Sequence, residues 1–227
     1  MGTSKGYIAP STTDWTNVKR SITKYINSPT DKEKESIVNN YAKAFRNSTS
    51  TNNQVVQTFN GFLSFVGSSK ANGLEQALHD IECEHLLSLD SKQALDELLL
   101  YYTNSGDTID NQLALDALAE TLSVLGIEEI EEILEIDVNE FLKELICQFA
   151  QIKFAQLFDK QIRNKCHNNE KADRVIDDLQ NYIYYVLKMK LTDDILIRVN
   201  PYKISNETII TEIINEASKI MEEYYGE

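Results

Sequence analysis

Apolar residues recur in this sequence at spacings of three and four, segment after segment, and few helix-breaking residues interrupt them. Eight glycines and three prolines are spread over 227 residues. A sandwich or barrel needs a turn roughly every 8–12 residues, and that punctuation is missing. The pattern points to an all-α fold, an irregular helical bundle without a fixed repeat. With 42% hydrophobic and 26% charged residues the chain carries enough apolar material for a packed core.

Residues 1–12 lack either periodicity. Gly2, Gly6 and Pro10 break helices, and the Ser/Thr residues among them favour turns, so a mobile N-terminal tail is expected. Trp15, Val18, Ile22 and Ile26 then mark a first helix, capped by Thr13/Asp14. A second follows Ser28-Pro29-Thr30, with Ile37, Tyr41, Ala44 and Phe45 on one face. The polar tract at 47–53 (NSTSTNN) reads as a linker. It separates a small helical module, 13–46, from a helical domain over 54–227.

Within that domain, Val55, Val56, Phe59, Phe62, Leu63 and Val66 form one stripe, and residues 91–102 a further helix. Residues 110–125 are apolar over so much of their circumference that a central position is expected. Asp137-Val-Asn-Glu140 resembles a capping box opening a long helix with Phe141, Leu145, Phe149, Ile152 and Leu157. Residues 169–190 and the stretch after Ser205/Asn206, with Ile209, Ile213, Ile214, Ala217, Ile220 and Met221, supply the last long helices. Residues 195–199 (ILIRV) form the one plausible short extended segment.

The net charge is −14, unevenly spread. Residues 1–50 carry eight Lys/Arg against four Asp/Glu, whereas residues 75–140 carry eighteen acids against one base, Lys92. Such a surface repels a phosphate backbone, which argues against direct nucleic-acid binding. Its ordinary reading is a solvated face, its sharper one a docking surface for a basic partner. Three cysteines, Cys83, Cys147 and Cys166, give no disulfide framework and fit a reducing cytoplasm. No apolar run reaches the roughly 18–20 residues of a membrane span, and no signal-peptide core opens the chain.

Recognisable catalytic patterns are missing. Neither phosphate-binding glycine loop occurs, nor G-x-S-x-G, nor H-E-x-x-H. The best metal candidate is Glu75, His79, Glu82 and His85. On an unbroken helix the first three fall within about 60° of one another. Glu82-Cys-Glu-His85 also matches the Glu-x-x-His pair of di-iron bundles, but a second such motif is wanting. His85 shares an arc with Leu74, Leu78 and Ile81, so a boundary histidine is the preferred reading. No metal or cofactor is expected, and the chain is read as a non-enzyme. Cys166-His167 reads as a helix end, and the acid run at 128–135 (EEIEEILE) as an amphipathic helix rather than a pair of catalytic carboxylates.

One chemical feature remains, Met1-Gly2. Removal of Met1 leaves the amine of Gly2, with an ordinary pKa of about 8 and no Cβ beside it, as an unhindered nucleophile. N-myristoylation wants Ser/Thr where this chain has Gly6. The opening Met1-Gly2-Thr3-Ser4 resembles the start of the QatB family, a component of the four-gene Qat anti-phage systems of bacteria. Further resemblance lies in residues 62–78 (FLSFVGSSKANGLEQAL), in Ser105-Gly106-Asp107-Thr108 leading into 114–122, and in 141–162. In place of the long tail and basic linker of many relatives, this chain has a short tail and the neutral tract at 47–53.

The resemblance implies a partner, QatC, which is similar to QueC, the enzyme that adenylates a 7-deazaguanine carboxylate and lets ammonia attack it. With the Gly2 amine in place of ammonia, an amide joins the deazaguanine to the protein. On this reading the chain is a substrate and carrier, with Gly2 as the modified residue and Gly2, Thr3 and Ser4 entering the partner's site. The helical body would dock QatC and other Qat components. The alternative is an acidic inhibitor or immunity-type protein that neutralises a basic effector. That reading makes the acidic face essential and the tail dispensable.

Overall fold

A computed structural model describes residues 11–47, 53–196 and 207–223. Among them the chain forms ten α-helices and three short 3-10 helices, with no strand. In order these are α1 (Thr13–Asn27), α2 (Asp31–Asn47), α3 (Asn53–Asn72), α4 (Leu74–Asp80), a 3-10 helix Glu84–Ser88, α5 (Ser91–Tyr102) and a 3-10 turn Asn104–Gly106. Then follow α6 (Ile109–Val124), a 3-10 helix Ile130–Glu135, α7 (Val138–Cys166), α8 (Asn169–Lys190), α9 (Asp193–Leu196) and α10 (Glu207–Glu223).

Helix starts obey local chemistry. Thr108 caps α6 by accepting the N–H of Asn111 at 3.1 Å, and Asn168 caps α8 by accepting that of Lys171 at 3.1 Å. The expected acid cap opens α7, where Asp137 Oδ1 accepts the N–H of Glu140 at 2.9 Å. At α1 the start differs: the helix begins at Thr13, and Asp14 lies in the first turn, where its charge complements the helix dipole.

The chain divides into two compact units, each assembled from separate stretches. The first comprises Met1–Thr49, Ala150–Leu191 and Asn215–Glu227. The helices of 13–46 are grouped here with two later stretches, because two amphipathic helices alone leave an apolar face uncovered. Trp15, Tyr41, Phe45, Phe154 and Phe158 form an aromatic cluster with neighbouring ring centroids 5.1–6.2 Å apart. Tyr41 is fully buried and its hydroxyl donates to the Ala150 carbonyl at 2.8 Å. Tyr25 of α1 and Lys34 of α2 converge on Asp178 of α8: the Tyr25 hydroxyl donates to one carboxylate oxygen, and Lys34 Nζ sits 2.7 Å from the other. From α10, Glu222 binds Arg46 at 2.6 Å and accepts from Asn39 at 2.9 Å.

The second unit comprises Ser50–Phe149 and Thr192–Ile214. The six apolar residues read as the α3 stripe are all buried. Phe59 meets Phe149 edge-on at 5.5 Å, and Phe62 stacks on Phe141 at 5.6 Å. Gly61 has a packing reason: a Cβ there would stand 3.1 Å from the Tyr102 ring.

Two expectations change. The helix surrounded on all sides is not α6. Gln112, Ala119, Glu120 and Val124 of α6 are exposed, while residues 144–150 of α7 are buried without a break. Gln112, Asp116 and Glu120 recur every four residues and give α6 a wet stripe that its many alanines and leucines obscured. In the segment read as extended, Ile195 and Leu196 belong to α9, and residues 197–199 lie outside the described ones.

Candidate functional site

Gly2, Thr3 and Ser4 lie outside the described residues. The first described residues, Ser11 and Thr12, are exposed and lead directly into α1.

The metal candidate does not assemble as the spacing suggested. Helix α4 ends at Asp80, and Glu82 adopts a left-handed backbone, φ 59°. That break carries Glu82 off the face shared by Glu75 and His79. His79 Nδ1 instead approaches Glu84 at 3.6 Å, on the surface. His85 is exposed on the 3-10 helix rather than at a core boundary, since the arc computed for a continuous helix ends with α4. Among the described residues no three His, Cys, Asp or Glu side chains gather in a metal-binding arrangement.

All three cysteines are buried, and none is in a disulfide among the described residues. Burial, followed by the charges of Glu84 and Glu82, pushes the Cys83 thiol up, opposite to what a nucleophile needs. Cys166 closes α7 and His167 follows in a left-handed conformation, φ 53°, the helix end its sequence suggested. In the acid run, Ile130 and Ile133 are buried beneath a six-residue 3-10 helix. Glu132 there folds back to accept the N–H groups of Glu128 and Glu129 at 2.7 and 2.9 Å. Those bonds hold its carboxyl below the usual range.

The acidic stretch has a definite geometry. All of residues 75–140 fall in the second unit, and each of the eighteen carboxylates is exposed or half-buried. Lys92, the lone Lys or Arg there, is held by Glu128 at 2.5 Å, which raises its pKa. Sequence periodicity did not mark which apolar side chains of this stretch stay exposed. Leu87, Leu89, Tyr101, Ile109, Val124 and Leu134 are all exposed, and all sit within the same acidic stretch. The signal available was local: a 3-10 helix is too short to bury both faces, so the leucines of short EHLLS and EEILE segments are partly left outside.

Among the described residues no helix is long and apolar enough to cross a membrane. What stands among the described residues is a helical body with buried thiols and a surface rich in carboxylates. Its family follows from comparison. The chain belongs to the QatB family: the family described as "Qat anti-phage system associated protein QatB" matches residues 41–221. The protein is thus a component of an anti-phage defence system and works with other Qat components. No curated protein and no solved structure matches the chain significantly.

Proposed function

We propose that this protein is a non-catalytic substrate and carrier whose Gly2 amine is joined to a 7-deazaguanine by a QueC-like partner, QatC. The observation that carries the reading is the QatB match, taken with the Met1-Gly2 start. The chemistry balances with ATP as co-substrate. The partner converts the deazaguanine carboxylate to an acyl adenylate, releasing pyrophosphate. The neutral Gly2 amine attacks the acyl carbon, the C–N bond forms, and AMP leaves as the amine loses a proton. A glycine suits a narrow site because nothing branches beside the nucleophile. The reading places the protein in the cytoplasm, away from membranes and without direct nucleic-acid contact, which its acidic surface supports.

Intact-mass measurement with N-terminal peptide mapping, on protein co-expressed with its neighbouring genes, tests the reading. A deazaguanine-sized adduct on Gly2 is expected, lost when the QueC-like gene is deleted and lost in Gly2→Pro. An unmodified Gly2 in the presence of an active partner sinks the carrier role. The acidic-inhibitor reading then gains, and it predicts that Gly2→Pro leaves phage protection intact.

A further inference from the structure

We propose that the outward face of α5, with the 3-10 helix Glu84–Ser88 packed beside it, is a docking surface for a basic amphipathic segment of the QueC-like partner. The proposal deepens the reading above and rests on it for the partner's identity; the surface itself is argued from this chain.

Leu87 and Tyr101 are each 48% exposed, a high value for large apolar side chains on two packed elements. Tyr101 lies near the start of the 3-10 helix, where burial and then the proximity of Cys83 and Glu82 raise its hydroxyl pKa. At the other end of α5, Ser91 donates to Glu131 at 3.1 Å, which adds the Ile130–Glu135 turn and its exposed Leu134 to the same neighbourhood. On or beside the same elements Glu82, Glu84, Asp96 and Glu97 are exposed, and Lys92 is already engaged by Glu128.

Charge selects the occupant. A phosphate backbone or an anionic lipid surface would be repelled, and a second copy would bring the same negative face. A simple metal ion has no arranged set of ligands here. A segment with Lys/Arg on its flanks and apolar side chains at its centre satisfies both halves of the surface: the apolar groups leave water, and the acids steer and orient the approach. Tyr185 and Met189 of α8 are also exposed, 61% and 68%, but the charged residues flanking Met189 are Lys188 and Lys190, the wrong sign for a basic occupant.

Binding of the purified QueC-like enzyme to full-length protein, with two paired variants and a control, tests the surface. Leu87→Ser/Tyr101→Ser should weaken binding at least tenfold with little dependence on salt. Glu84→Lys/Glu97→Lys should weaken it at least tenfold at low salt, with the deficit shrinking as salt is raised. Tyr185→Ser/Met189→Ser should bind as the unaltered protein does. All six positions are exposed, and circular dichroism checks that each variant is folded. Full affinity in both surface variants, or no binding by the unaltered protein, overturns the inference. A Gly2 adduct together with full affinity in the variants removes the surface and keeps the carrier. Weakened variants with no Gly2 adduct keep the surface and remove the carrier.

Discussion

Tyr41 illustrates what one buried polar atom does in this fold. Its ring lies among Trp15, Phe45 and Phe154, and its hydroxyl reaches the Ala150 carbonyl. Tyr41→Phe keeps the ring and loses one hydrogen bond, so a loss of about 1 kcal/mol in unfolding free energy is expected. Tyr41→Ala removes the ring as well, and about 3–5 kcal/mol should be lost through the cavity. Urea denaturation of the two variants separates these terms; equal losses would mean that the hydroxyl, not the ring, dominates. Asp178 is a different case, because it is shared. Lys34 and Tyr25 both depend on it, so Asp178→Asn should perturb two helices at once, although its partial exposure limits the effect.

At the scale of elements, the 3-10 helix Ile130–Glu135 depends on a carboxylate that must stay ionised. Glu132 accepts two backbone N–H groups, and its pKa lies below the ordinary value of 4.5. A depressed carboxylate contributes stability above its unfolded pKa and loses it as pH falls through the folded one. The segment should therefore loosen locally only as the pH falls below the ordinary glutamate value. Carbon-13 NMR of Glu132 should report a midpoint below that of the exposed glutamates, and Glu132→Gln should loosen the turn at neutral pH. A Glu132 midpoint at or above its neighbours' would refute the account. Elements were also where sequence reading worked best. The Trp15, Val18, Ile22, Ile26 stripe and the α3 stripe are wholly buried because a 3.6-residue period places them on one face. Reading failed at Glu82, where a left-handed residue ends α4 without a glycine or proline to announce it. It failed again at α6, where Ile109, Ala119 and Val124 are exposed despite being apolar. The acidic character of residues 75–140 was legible; the leucines exposed among them depend on 3-10 geometry that periodicity does not encode. The tail residues that carry the proposed chemistry, Gly2, Thr3 and Ser4, remain a reading of sequence and family.

For the whole molecule, the division into units makes different predictions for two truncations. Deleting residues 1–10 removes nothing from the aromatic cluster, so the melting temperature should stay within a few degrees while any Gly2 modification disappears. Deleting residues 1–49 strips α1 and α2 from Phe154, Phe158 and Asp178 and exposes a face that was covered. That protein should aggregate or melt non-cooperatively; a soluble, cooperative fragment would show the later stretches to be self-sufficient. Salt acts at this scale too. Eighteen surface carboxylates against one lysine repel one another, so stability should rise as ionic strength approaches about 0.15 M.

The first unit draws on Met1–Thr49 and on Ala150–Leu191, stretches separated by about a hundred residues. During synthesis at roughly 5–20 residues per second, α1 and α2 leave the ribosome several seconds before the helices that cover them. For that interval Trp15, Tyr41 and Phe45 have one another but lack the rings of Phe154 and Phe158. On the proposed carrier reading, the partner that acts on the Gly2 amine therefore meets a nascent chain whose first two helices are still uncovered.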